Sequence, residues 1–136
     1  PYGFDILCFK DHLEFSMELC YSRTIPKGNE EVAKRLRYCL RVLHLLGMVH
    51  KDIKHANILY CASVDDYVLC DFGLSHAVAE SLGFTSNTHR EGTNKFMSPE
   101  MRSIKERGSA YIDLYYNDMY GLQITLTTSV DKDHSK

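Results

Sequence analysis

Residues 50–59, HKDIKHANIL, set four polar side chains close together in a segment that has apolar residues on both sides. The residues before it end in VLHLLGMV, and the residues after it continue through YVLC to CDFG. A His, an Asp, a Lys and an Asn in one short segment suggest a shared task. The elements on either side of the segment and the chemistry of its side chains indicate what that task is.

The residues before the segment have the pattern of an amphipathic helix. In EEVAKRLRYCLRVLHLLG, apolar residues recur at helical spacing between Val32 and Leu46, which places them on one face. Asn29 can cap this helix, its first turn is acidic, and Gly47 can end it. After the segment, NILY and YVLC around CASVDD predict a β-hairpin, and DILCF with HLEFSMELC predicts another near the start of the chain.

Two later stretches are less regular. LSHAVAESLGFTSNTHREGTNKF is rich in Ser, Thr and Gly, so we predict a long loop, which in a compact domain is usually functional or disordered. SAYIDLYYNDMYGLQITLTTSV has apolar residues at mixed spacing, and its Thr and Val residues disfavour a helix. A helix in this last stretch is therefore predicted only with the help of the resemblance described below.

The composition excludes several classes of function. The 136 residues carry a formal net charge of -2 without a basic stripe, so we predict no nucleic-acid partner. The longest mainly apolar stretch is too short to span a bilayer, so we predict no membrane segment. The five cysteines form no C-x-x-C pair, which favours reduced thiols in the cytoplasm, or in the nucleus. We expect both ends of the chain to be cut edges, and the sequence leaves the oligomeric state open.

Four residues in and after the polar segment share one chemistry. Asp52 and Asp71 are carboxylates that follow short apolar elements, and Lys54 and Asn57 lie close to Asp52 in the chain. One carboxylate can orient a nucleophile, the other can hold a divalent cation together with the amide, and the lysine can offset negative charge. Hard oxygen ligands favour magnesium. The set therefore suits the transfer of an anionic group.

Three segments in order, HKDIKHANIL, CDFGLS and GTNKFMSPE, resemble the catalytic loop, the metal-binding loop and the end of the activation segment of eukaryotic protein kinases. HLLGMVHKD and NDMYGL are similar to the family's approach to the catalytic loop and to the start of its central C-lobe helix. The resemblance implies an α+β, protein-kinase-like fold that is truncated to an N-lobe remnant hairpin, the hinge and the first half of the mainly helical C-lobe. Residues 1–136 would then be a partial protein kinase domain, with the N-lobe remnant and hinge at 1–20 and an incomplete C-lobe at 21–136.

The resemblance also implies roles for the matched residues. Asp52 would orient the substrate hydroxyl or accept its proton, and Lys54 would contact the transferred phosphoryl group, so both would be catalytic. Asn57 and Asp71 would ligate magnesium. A lysine two positions after Asp52, together with Thr93, resembles the serine/threonine kinases of the family. The resemblance therefore implies protein substrates with Ser or Thr, and ATP and Mg²⁺ as cofactors.

Further residues carry over as nucleotide-binding or structural. LEFSMELC resembles the fifth strand and the hinge, in which the gatekeeper precedes the backbone that bonds to adenine. The nucleotide-binding residues implied are the gatekeeper Met17, the hinge residues Glu18, Leu19 and Cys20, and Asn57, Leu59 and Asp71. The structural or regulatory residues implied are His50, Lys51, Phe72, Gly73, Thr93, Glu100 and Asp118, the last of which would tie down the catalytic-loop backbone.

Two departures from the family pattern bear on activity. Lys51 stands where the family usually has arginine, and an ammonium lacks the bidentate fork that grips a phosphate, so regulation by phosphorylation of Thr85, Ser86 or Thr88 is a hypothesis. No Gly-rich loop or strand-three lysine precedes the first hairpin, so we predict weak or no transfer by the isolated chain. The resemblance implies a fragment of a longer serine/threonine kinase. The alternative is a catalytically inactive remnant that acts as a binding or scaffolding module.

Overall fold

The structure is a computed structural model that describes residues 20–21, 25, 30–62, 65–78 and 85–128. Its helices are α1 (Glu30–Leu45), α2 (Pro99–Arg102) and α3 (Leu114–Thr127). Its strands are β1 (Cys20–Tyr21), β2 (Met48–Val49), β3 (Ile58–Cys61), β4 (Asp66–Leu69), β5 (His76–Ala77), β6 (Thr85–His89) and β7 (Ser109–Asp113). Helices combine with small antiparallel sheets, which confirms the α+β class. Within these ranges, no helix has the length and apolar character needed to cross a bilayer.

Helix α1 confirms the helix predicted before the polar segment. Its apolar stripe buries Leu36, Leu40 and Leu43, as helical spacing requires. The helix ends before Gly47, whose φ of 80° lies in the left-handed region that glycine enters without a Cβ penalty. The predicted cap Asn29 lies outside the described residues, so that prediction stays open.

Strands β3 and β4 confirm the predicted hairpin after the polar segment. They pair antiparallel from Ile58 with Leu69 to Cys61 with Asp66, and β1 adds a third strand by pairing Cys20 with Cys61. Strand β1 therefore spans the predicted boundary between the N-lobe remnant, which ends at residue 20, and the C-lobe, which begins at residue 21. That boundary stays a prediction. The hairpin predicted near the start of the chain lies outside the described residues, apart from its last residue.

The long polar stretch is not a loop throughout, and this corrects one prediction. Residues 85–89 form β6, which pairs antiparallel with β7 from Thr85 with Asp113 to His89 with Ser109. Strand β5 pairs with β2. Sequence periodicity could not reveal these pairings because the strands are short and their partners lie far away in the chain.

The last described stretch also divides differently from the prediction. Its first five residues form β7, and only the residues from Leu114 onward form the predicted helix α3. The Asp113 side chain accepts a hydrogen bond of 2.9 Å from the Tyr116 backbone and so caps this helix. Thr125 is buried, and its hydroxyl donates to the carbonyl of Gly121 at 2.8 Å. A Thr-rich helix is therefore compatible with burial because its hydroxyls bond within the helix.

Two apolar clusters lie on either side of the polar segment. One joins α1 to the hairpin and includes Leu36 and Leu69, and the other joins α2, β7 and the start of α3 and includes Met101 and Leu114. Gly121 of α3 lets the helix approach the segment closely, because a Cβ there would lie 3.0 Å from the carbonyl oxygen of Ile53. The polar segment is thus supported by packed elements on both sides.

Candidate active site

The backbone of the polar segment is anchored to α3 by Asp118, which is 1% exposed. Its Oδ2 accepts a hydrogen bond from the backbone N–H of His50, and its Oδ1 accepts one from the backbone N–H of Lys51, both at 2.8 Å. The Nε2 atom of His44 in α1 lies 2.9 Å from the same Oδ2. Lys51 has a φ of 76°, an unfavourable conformation for lysine, so these bonds help to hold it.

His50 connects the polar segment to the end of β4. The backbone N–H of Asp52 donates to His50 Nδ1 at 3.1 Å, and Nε2 lies 2.9 Å from the carbonyl oxygen of Cys70. Because a backbone N–H can only donate, Nδ1 is the acceptor and the ring hydrogen lies on Nε2. The ring of Phe72 also packs on His50, with centroids 4.8 Å apart. The buried histidine therefore fixes Asp52 relative to Asp71.

The carboxylate of Asp52 is surrounded by three polar side chains. Thr93 Oγ1 donates to Asp52 Oδ1 at 3.2 Å, and Asn57 Nδ2 lies 3.3 Å from Oδ2 and 2.8 Å from the Asp52 carbonyl oxygen. Lys54 Nζ donates to Thr93 Oγ1 at 2.9 Å and lies 3.9 Å from Asp52 Oδ2. The fold thus brings Thr93, which is remote in sequence, onto the predicted catalytic pair.

This arrangement has the parts that a proton-accepting site needs. Asp52 is half-buried, so its carboxylate still reaches solvent, and the nearby ammonium of Lys54 supplies positive charge at a distance of a few ångströms. An open cleft of about 400 Å³ adjoins Thr93 and is lined also by Met97 and Glu106.

The two predicted magnesium ligands lie on adjoining pieces of backbone. The backbone N–H of Cys70 donates to the carbonyl oxygen of Asn57 at 2.9 Å, which brings Asp71 next to the polar segment. Asp71 is exposed, has a φ of 59°, and accepts a hydrogen bond of 3.3 Å from the backbone N–H of Gly73. The Asn57 NH2 group points to Asp52, which leaves its amide oxygen as the atom suited to a metal.

A carboxylate and an amide oxygen fit magnesium, which usually takes one or two protein oxygens and completes its shell with water and substrate phosphates. In the described part of the chain, no group of three or more His, Cys, Asp or Glu side chains could hold a metal ion. Asn57 and Asp71 would therefore fill only part of the coordination shell of such an ion.

Cys70 is the residue directly before Asp71, and its thiol is buried. The pKa of Cys70 is raised from 9.0 to about 11, chiefly because burial disfavours the charged thiolate; the backbone hydrogen bond from Leu59 lowers this pKa in part, and the negative charge of Asp71 adds a smaller increase. The folded chain therefore holds this proton more tightly than the unfolded chain does. The thiol is protonated at neutral pH, so it is neither a nucleophile nor a ready metal ligand there.

The raised pKa of Cys70 predicts a pH dependence of stability. The stabilisation from this group is present below pH 9 and is lost as the pH rises from about 9 to 11, because the unfolded chain then releases the proton first. Cys70→Ala should flatten this part of the profile even though it lowers stability at neutral pH by opening a small cavity. Urea midpoints measured every half pH unit test this, and parallel profiles for the two proteins would contradict it.

The other predicted residues lie in several places. Leu59 is half-buried in β3, Cys20 lies in β1, and Glu100 is exposed, with its Oε1 accepting from the backbone N–H of Asp113 at 3.4 Å. The predicted hinge residues Met17, Glu18 and Leu19 lie outside the described residues.

Two residues near the site, Thr88 and Glu91, were not predicted to have a role there. Lys51 Nζ lies 2.5 Å from Glu91 Oε1 and donates to Thr88 Oγ1 at 2.8 Å. The sequence suggests Thr88 only as a candidate site of phosphorylation, and it assigns no role to Glu91. The only sequence signal for this ion pair was an acidic residue just before GTNKF, which is no pattern by itself.

The chain is similar in sequence to protein kinases. The sequence model of the family described as "Protein kinase domain" matches residues 10–134. A serine/threonine-protein kinase mos of Patiria pectinifera is 32% identical over 85 residues, which are 56% of this chain and 24% of that protein. A serine/threonine-protein kinase PknB of Mycobacterium leprae is 32% identical over 89 residues, which are 63% of this chain and 14% of that protein.

A mitogen-activated protein kinase kinase 9 of Arabidopsis thaliana is 35% identical over 94 residues, which are 69% of this chain and 29% of that protein. The chain thus spans less than a third of the length of each of these relatives. The family match, in contrast, extends over almost all of the chain. The chain therefore belongs to the protein kinase domain family, a family of phosphoryl-transferring enzymes.

Proposed function

We propose that this chain carries the catalytic loop of a serine/threonine protein kinase, which transfers the γ-phosphoryl group of ATP to Ser or Thr hydroxyls of proteins. The observation that supports this most directly is the contact of Asp52 with Thr93 and Asn57, beside the ammonium of Lys54. The relatives from Patiria and Mycobacterium are serine/threonine-protein kinases by name. The proposal extends that activity to the protein that contains these residues.

In the proposed mechanism, Asp52 accepts a hydrogen bond from the substrate hydroxyl, orients its oxygen and takes up its proton as the bond to phosphorus forms. Lys54 would offset the negative charge on the transferred group while Thr93 holds its ammonium at 2.9 Å. Asn57 and Asp71 would hold magnesium, which when bound neutralises charge on the nucleotide phosphates. As the substrate oxygen bonds to the γ-phosphorus, the bond from that phosphorus to the oxygen bridging it to the β-phosphate would break and ADP would leave. The hydroxyl proton ends on Asp52, and the phosphoryl group ends on the substrate oxygen.

The names of the relatives from Patiria and Mycobacterium support Ser and Thr as acceptors. In this chain, the hydrogen bond to Thr93 keeps the Lys54 ammonium close to the Asp52 carboxylate, where an acceptor hydroxyl would be oriented. The open cleft beside Thr93 would receive the residues that follow the acceptor. Substrates are therefore proposed to be exposed, extended protein segments, which fit an open cleft better than a folded surface does.

The test is phosphoryl transfer by the natural polypeptide that contains these residues, with labelled ATP, Mg²⁺ and a degenerate peptide library. We expect label on Ser and Thr in phosphoamino-acid analysis, and its loss on Asp71→Asn, which removes a charge from the proposed metal site. Asp113→Asn serves as the control because this carboxylate caps α3, away from that site. Label mainly on Tyr, or equal label with Asp71→Asn, would contradict the proposal. Binding of protein partners without any transfer would favour the scaffolding alternative.

The isolated 136-residue chain is expected to transfer phosphoryl groups very weakly or not at all. Its sequence contains no Gly-rich loop or strand-three lysine to hold the nucleotide phosphates. The measurement is the same assay with the purified chain, with the natural polypeptide as the positive control. Robust transfer that disappears on Asp71→Asn would show this expectation to be wrong.

A further inference from the structure

Lys51 carries a charge into the interior at the start of the polar segment. The residue is 5% exposed, and its backbone has a φ of 76°. A buried ammonium is unfavourable unless a charge and hydrogen-bond acceptors surround it. The partners of this lysine therefore affect the stability of the polar segment in its observed conformation.

The partners of Lys51 come from the segment around β6. Glu91 Oε1 lies 2.5 Å from Lys51 Nζ, and Thr88 Oγ1 accepts from Nζ at 2.8 Å while donating its own hydrogen to the His89 carbonyl oxygen at 2.8 Å. One positive charge thus meets one negative charge, and the threonine hydroxyl uses both of its functions. The ammonium is satisfied by residues of the chain itself.

The two residues of the Lys51–Glu91 ion pair are close in sequence to the two residues of the Asp52–Thr93 contact. Lys51 directly precedes Asp52, and Glu91 is separated from Thr93 only by Gly92. Gly92 has a φ of 116°, and a Cβ there would lie 2.9 Å from the carbonyl oxygen of Lys51, so the two backbones touch at this point. Displacing Glu91 would therefore displace Thr93 from the carboxylate.

The pairing of β6 with β7 determines which hydroxyls of this segment are accessible. Thr88 faces inward and is 4% exposed, whereas Thr85 lies on the exposed face of the strand. A modifying enzyme could reach Thr88 only after β6 had separated from β7 and Lys51. The charge that Lys51 requires is already supplied by Glu91.

We propose that Glu91 is a positioning residue that, through Lys51, holds Thr93 on Asp52, so that phosphoryl transfer does not require phosphorylation of Thr88. The inference rests on the proposed kinase function for its catalytic consequence. Its structural part, the ordering of residues 88–93 by Glu91, does not depend on any activity. The two parts can therefore be tested separately.

The structural part is tested by hydrogen exchange on the 136-residue chain. Glu91→Gln keeps the size of the side chain and removes its charge, and we expect amide exchange in residues 88–93 to rise about tenfold while the hairpin of β3 and β4 stays protected. Glu30→Gln is the matched control, because it removes a glutamate from an exposed pair with Arg37. Unchanged exchange in residues 88–93 would overturn the inference.

The catalytic part is tested with the natural polypeptide after phosphatase treatment, with mass spectrometry confirming that residues 85–93 carry no phosphate. We expect transfer to persist, Glu91→Gln to lower kcat about tenfold or more with an unchanged KM for ATP, and the Lys51→Glu, Glu91→Lys exchange to restore part of the rate. Loss of wild-type transfer on phosphatase treatment would overturn the inference. Faster exchange in Glu91→Gln with no transfer under any treatment would uphold the ordering by Glu91 and overturn the kinase function.

Discussion

Asp118→Ala lowers the free energy of unfolding of the chain by about 4 kcal/mol, because it removes the acceptor of two buried backbone N–H groups. Those groups belong to His50 and Lys51, and no solvent reaches them to replace the carboxylate. His44 loses a partner at the same time. The change therefore weakens the tie between α1, the polar segment and α3, and urea unfolding followed by circular dichroism measures it.

Two variants make this expectation specific. Asp118→Asn retains one acceptor oxygen but turns an NH2 group toward one of the two donors, so we expect about half of the loss. Asp113→Ala removes an exposed helix cap and costs about 1 kcal/mol. If Asp118→Ala costs no more than Asp113→Ala, the backbone of the polar segment does not depend on α3 for its conformation.

We expect Asp52→Asn to lower kcat of the proposed phosphoryl transfer by the natural polypeptide about a thousandfold, because an amide cannot accept the proton of the substrate hydroxyl. The amide is similar in size to the carboxylate and still accepts a hydrogen bond from Thr93 through its oxygen. The KM for ATP should change little, since Asp52 is not proposed to contact the nucleotide. Initial rates at varied ATP and peptide concentrations separate the two parameters.

The control for this experiment is Asp65→Asn, which changes a carboxylate exposed in the turn between β3 and β4. Asp65 has a φ of 55°, and asparagine tolerates this region better than most residues do, so the fold should be kept. We expect its rate to match the wild type. A variant Asp52→Asn that retained a tenth or more of the wild-type kcat would exclude Asp52 as the proton acceptor.

The polar segment illustrates how much of a site can be predicted from local sequence. The spacing of Asp52, Lys54 and Asn57 placed three side chains in one loop, and the structure brings all three within hydrogen-bonding or ion-pair distance of one another or of Thr93. Their chemical types suggested an anionic group and a hard cation before any fold was known. The roles assigned to them stay predictions that the experiments above test.

Elements with a strong local pattern were predicted well. Helix α1 and the hairpin of β3 and β4 follow from apolar spacing and turn residues, because neighbouring residues determine those elements. Strands β6 and β7 were missed, since their pairing joins residues twenty or more positions apart and neither strand has an alternating apolar pattern. Local periodicity carries no information about such a partner.

The sequence alone determined the helix, the hairpin and the set of polar residue types, because these depend on short-range spacing and on side-chain chemistry. The resemblance of the sequence to protein kinases had already implied that Asp118 ties down the backbone of the polar segment, and the structure places it there. Only the tertiary structure decided that Thr93 contacts Asp52 and that Glu91 pairs with the buried Lys51. These contacts depend on how α3 and the β6–β7 ribbon pack against the polar segment, and packing at that range is settled by burial and charge pairing across the whole fold.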